Sequence, residues 1–107
     1  MGNKEIIDKI KTFLKGMDIS ISDIYLFGSR GRGDHDAESD YDILIVLKEN
    51  LTSDSKRKLA VQIRNFLIKS NVLLNIDLII TNLEDWEWES VNIGFLAHTV
   101  RNEGILL

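Results

Sequence analysis

Apolar side chains recur at Ile6, Ile7, Ile10, Phe13, Leu14 and Met17. That three-and-four spacing is one face of a helix, and Gly16 marks its expected end. The period then shortens. Ile24-Tyr25-Leu26-Phe27 reads as a short buried strand, stopped by a loop from Gly28 to Ser39 that contains three glycines. Tyr41 to Leu47 is the strongest strand signal, because Ile43-Leu44-Ile45-Val46-Leu47 is unbroken in apolar character, as in a strand covered on both faces. Thr52 or Ser53 is placed to cap the next helix, with Asp54 in its first turn and Leu59, Ile63, Phe66 and Leu67 on its core side. Ile76 to Ile80 forms a third strand. Ile93, Leu96, Ala97 and Val100 predict a last helix that stops near Gly104. The order α-β-loop-β-α-β-α describes a small α/β (α+β) fold, a mixed sheet of three or more strands packed by helices.

The chain of 107 residues fits one domain spanning 1–107, and no proline, linker-like stretch or repeat divides it. Cysteine is absent, which excludes disulfides and thiolate metal sites, and two histidines are too few for a histidine-rich zinc site. A metal would have to be held by carboxylates, which favours Mg²⁺ or Mn²⁺. The start Met1-Gly2-Asn3-Lys4-Glu5 lacks the apolar core of a signal peptide, and no apolar run approaches the ~20 residues of a membrane span. The expectation is a cytoplasmic protein without membrane contact. A net charge of −4 disfavours binding along a nucleic-acid backbone, though a single nucleotide needs only a few local donors. The same acidity suits a basic protein partner.

Three features carry candidate chemistry. Gly28-Ser29-Arg30-Gly31-Arg32-Gly33 follows directly on a strand signal. Glycines let backbone N–H groups approach an anion, the Ser29 hydroxyl can join them, and Arg30 and Arg32 can add charge-assisted hydrogen bonds to phosphate. Alone, such a segment is more often an ordinary turn with solvated arginines. Asp40-Tyr41-Asp42 stands at the entrance of the most apolar strand, where residues i and i+2 share a face. Asp34, Asp36 and Glu38 read as hydrophilic loop, but Asp42 abuts a core run, and a charge there needs a partner. Asp77 lies inside Asn75-Ile76-Asp77-Leu78-Ile79-Ile80. For Asp77 alone a structural salt bridge is as good a reading as a functional one. If the two acid-bearing strands are neighbours, Asp40, Asp42 and Asp77 converge and call for divalent cations, the arrangement that serves in-line nucleotidyl transfer.

Gly28-Ser29, the eleven residues from Ser29 to Asp40, the Asp40-x-Asp42 pair and the later Asp77 together resemble the signature of the DNA polymerase β-like nucleotidyltransferase superfamily. Within it, the stretch from Gly28 to Asp34 and the short chain are most similar to the minimal nucleotidyltransferase (MNT) family. The resemblance extends to the closing helix and the Glu103-Gly104-Ile105-Leu106-Leu107 tail. Gly31 departs from the alanine of many relatives. The resemblance implies that Gly28 and Ser29 hold the triphosphate and that Asp40, Asp42 and Asp77 bind two Mg²⁺ ions. Asp77 would also help to deprotonate the attacking hydroxyl. It further implies an antitoxin that transfers AMP from ATP to a tyrosine of a HEPN-family toxin, a helical RNA-cleaving protein. Larger relatives carry extra domains for the acceptor, so the acceptor is expected on another molecule.

Trp86 and Trp88 stand among Glu84, Asp85, Glu87 and Glu89, either as core residues at a helix start or as anchors for a partner. His35 and His98 read as ordinary surface or partly packed histidines, and Lys56-Arg57-Lys58 as the solvated start of a helix. The rival reading from another class is a non-catalytic antitoxin that neutralises its toxin by binding alone. Modification of a small molecule and a general nucleic-acid module are weaker alternatives.

Overall fold

The computed structural model describes residues 3–28, 41–72 and 75–107. Helix α1 (Asn3–Gly16) buries Ile6, Ile7, Ile10 and Leu14. Its Phe13 stacks on Phe66 of helix α2 (Ser53–Lys69), ring centroids 4.7 Å apart. Helix α2 begins where the sequence reading places it. The Thr52 hydroxyl accepts from the Ser55 N–H at 3.1 Å, and Asp54 lies in the first turn. Leu59, Ile63 and Leu67 are its buried stripe, while Phe66 is only half-buried.

Strands β1 (Ile21–Phe27), β2 (Tyr41–Leu47), β3 (Ile76–Asn82) and β4 (Ile105–Leu106) form one mixed sheet in the order β3-β2-β1-β4. β1 runs antiparallel to both β2 and β4, whereas β2 and β3 are parallel and joined through α2. Alternation then sorts the side chains. Ile24, Leu26, Tyr41, Ile43, Ile45, Leu47, Ile76 and Ile80 pack with α1 and α2 on one face. Leu44 and Val46 turn to the other, where Trp86 of helix α3 (Leu83–Glu89) and Ala97 and Val100 of helix α4 (Leu96–Glu103) cover them. A strand covered on both faces must be apolar throughout, which is why β2 reads so clearly.

Several local expectations change. β1 begins at Ile21, three residues before the apolar run, with a register shift between Ile21 and Asp23. α3 arises because Asn82 accepts from the Asp85 N–H at 2.8 Å and so caps a segment whose composition is mostly charged. Ile93, expected on the core face of the last helix, is 88% exposed and lies outside it. Gly94, at φ +104°, turns the chain just before α4 begins. Lys56 is not simply solvated, since its ammonium pairs with Asp85 at 3.4 Å and ties α2 to α3.

Candidate active site

β1 ends where β2 begins, and β3 begins beside β2. Phe27 is the register partner of Asp42, and Asp42 is the register partner of Asp77. Asp42 shares a face with Leu44 and Val46, and in-register pairing puts Asp77 on that face too, one strand spacing of about 4.8 Å away. α3 and α4 pack over the middle of this face, on Leu44, Val46 and Ile79. Asp42 is half-buried, and Asp77 is exposed.

Exposure corrects one expectation. Asp77 interrupts an apolar run, which points to a buried acid, but it is the second residue of β3, the edge strand among the described residues, and is exposed. No salt bridge is needed to hold it there. Two hard oxygen donors side by side fit a divalent cation bound by carboxylates. Among the described residues they are two and not a cluster of three. Asp40, Ser29, Arg30 and Arg32 of the expected site, and His35, lie outside the described residues.

Gly28 completes the described part of the site. Its φ of +67° is left-handed, and a Cβ placed there would collide with the Asp42 carboxylate. Only glycine satisfies both conditions, so the turn after β1 can lie directly against the acid. Gly28→Ala is expected to lower stability by about 1–2 kcal/mol from backbone strain alone, and more once Asp42 is displaced. Urea denaturation measures this, and a variant as stable as the parent would contradict the close approach.

Farther along the same face, Asp23, Tyr25, Trp86, Glu87, Ser90 and Arg101 line a shallow cleft. The Tyr25 ring lies 4.9 Å from that of Trp86. Burial, and then the Asp23 carboxylate, push the Tyr25 phenol above its ordinary value, while Arg101 pulls it back. The folded protein therefore holds this proton more tightly than the unfolded chain does. Its contribution is intact below about pH 10 and drains away as pH rises through the raised value. Tyr25→Phe is expected to flatten the alkaline part of the stability profile, read as urea midpoints from about pH 8 to about pH 11.

Arg64 is a residue that sequence reasoning missed. It stands on α2 with its Nη2 3.5 Å from the Ile76 carbonyl oxygen, beside the start of β3. In sequence it is one more cation on a polar helix face, and nothing there signals its nearness to Asp77.

The family model described as polymerase beta nucleotidyltransferase matches residues 8–107. A Methanocaldococcus jannaschii protein named for protein adenylyltransferase activity is 39% identical over 75 residues, covering 66% of this chain and 76% of its own. Two solved structures share the fold. One is a toxin–antitoxin crystallised with AMP-PNP, with TM-score 0.59 and 23% identity over 92% of this chain and 69% of that one. The other is a mutant form of the toxin–antitoxin MntA–HpeT, with TM-score 0.61 and 22% identity over all of this chain and 72% of that one.

Proposed function

The chain belongs to the polymerase beta nucleotidyltransferase family, and we propose that it transfers AMP from ATP to a tyrosine hydroxyl of a HEPN-family toxin, thereby acting as that toxin's antitoxin. The observation that carries this reading is the in-register pairing of Asp42 with Asp77, with Gly28 pressed against Asp42. The protein-adenylyltransferase name of the archaeal relative supports a protein acceptor. The toxin–antitoxin structures, one of them with an ATP analogue, support the partner and the nucleotide.

In this reading Gly28 and Ser29 receive the triphosphate, and Arg30 and Arg32 add positive charge to it. Asp42 and Asp77, joined by Asp40, would hold two Mg²⁺ ions. When bound, Mg²⁺ supplies charge neutralisation at the phosphates. The acceptor oxygen forms a new bond to the α-phosphorus, and the bond from that phosphorus to the bridging oxygen breaks. Pyrophosphate leaves with the electron pair. The hydroxyl proton leaves towards Asp77. The protein's own contribution is alignment, since phosphoryl chemistry of this type depends mainly on positioning and charge.

The test uses ATP labelled at the α-phosphate, Mg²⁺, and a HEPN-family toxin as acceptor. Label should appear on that protein and disappear with a folded Asp40→Ala/Asp42→Ala variant. If both forms neutralise the toxin and neither labels it, transfer is not the mechanism, and the chain neutralises by binding alone.

A further inference from the structure

The turn from the end of α3 to the start of α4 presents a run of apolar side chains to solvent. Trp88, Val91, Ile93, Phe95 and Leu96 are each at least 40% exposed. Exposed apolar residues scattered singly are ordinary, but these five fall close together along the chain, and a contiguous patch is not. The Trp88 and Phe95 rings, from either end of the turn, meet edge-on with centroids 5.2 Å apart. Asn92 holds the turn in shape. Its backbone N–H donates to the Glu89 carbonyl at 3.2 Å, and its side-chain amide donates to the Trp88 carbonyl.

Charge decides what this patch fits. α3 carries Glu84, Asp85, Glu87 and Glu89 and no cation. Glu84 and Trp88, at i and i+4, share the stripe turned away from the buried Trp86. Asp85 is committed to Lys56, whereas among the described residues Glu84, Glu87 and Glu89 enter no ion pair. Arg101, which lines the same cleft as Glu87, is the one cation that α4 contributes. A second copy docked through the same patch about a two-fold axis would set these acids against their own counterparts. An anionic lipid surface would meet the same repulsion. The surface that fits has an apolar centre bordered by lysine or arginine.

We infer that the turn from Trp88 to Leu96 is the docking surface for the acceptor protein, and that this partner meets it with an apolar patch bordered by basic side chains. That the partner is the acceptor rests on the transfer reading above. Trp88 is the anchor, since a large ring buried at the centre of a contact carries much of its binding energy. Ile93, the most exposed residue of the patch, widens the apolar contact. Glu87 and Glu89 face the partner's basic border and give the association its salt dependence. None of these four residues belongs to either apolar core, so each can be replaced in the folded protein.

Calorimetric binding of a HEPN-family toxin to the full chain, at low and at physiological salt, tests the surface without any transfer step. Trp88→Ala and Ile93→Glu should each weaken binding by about thirtyfold or more, the size of a hot-spot loss, with urea midpoints little changed. Glu87→Gln/Glu89→Gln should weaken it chiefly at low salt and flatten its salt dependence. In the labelling assay the Trp88 and Ile93 variants should raise KM for the toxin and leave kcat and ATP affinity as they are. Toxin that binds through this surface but takes no label would sink the transfer reading and keep the surface. Toxin that is labelled, and bound equally well by the parent and all three variants, would overturn the surface and leave transfer standing. Self-association, or binding to phosphatidylserine vesicles, that Trp88→Ala abolishes while toxin binding persists would give the patch to a second copy or to lipid and overturn the inference. Toxin neither bound nor labelled would overturn both.

Discussion

Asp42→Asn or Asp77→Asn is expected to lower AMP transfer by roughly 10³-fold or more, the several kcal/mol that a lost metal ligand withdraws from the transition state. The fold should survive both changes. Asp77 is exposed, and Asp42 is half-buried and belongs to neither apolar core. The double variant should be little worse than either single one, because the two groups act as a unit. Single-turnover transfer and urea midpoints, each with and without chelator, measure all of this. Asparagine variants that transfer within tenfold of the parent would remove these residues from the mechanism.

Trp86→Ala is expected to cost about 3–5 kcal/mol, the range for deleting a large buried aromatic. Trp86 is 6% exposed, packs with Leu44, Val46, Ala97 and Val100, and lies against the Tyr25 ring. It is the main apolar residue that α3 contributes to this smaller core. Trp88→Ala should change stability by no more than about 1 kcal/mol. Trp88 is 59% exposed, and its ring contact is an edge-on one with Phe95. The two tryptophans, read together in sequence, therefore separate into a core residue and a surface one. Thermal or urea unfolding of both variants decides the point, and equal losses would mean that Trp88 is packed as well.

How much could be read in the chain depended on whether a residue's neighbours in sequence were also its neighbours in space. β2 was legible because every residue from Ile43 to Leu47 is buried. The first half of β1 was not, since Ser22 and Asp23 are polar and join the strand through an irregular pairing with β2, at the register shift between Ile21 and Asp23. β4 has two residues, both exposed, and exists because Gly104 lets the chain approach the Leu26 carbonyl. α3 was hidden by its own charge. In the candidate site, Asp42 and Asp77 stood out as acids beside apolar runs, and the structure places them together with Gly28. Periodicity has no means of telling an edge strand from a central one, so the exposure of Asp77 escaped it. Arg64 escaped for a related reason, because its relation to the start of β3 is made entirely by packing.

The parallel pairing of β2 with β3 carries a consequence for folding. Asp42 and Asp77 are brought side by side only after the chain has left β2, completed α2 and returned to lie beside it. Neither half of the chain holds both carboxylates, and closing a connection of that length is the slow kind of step in a small α/β protein. A slip of one residue would also turn Asp77 to the opposite face. Binding of a divalent cation at this pair would therefore report on a finished, correctly registered sheet, and during refolding the metal signal should appear last, after helix content and after burial of Trp86.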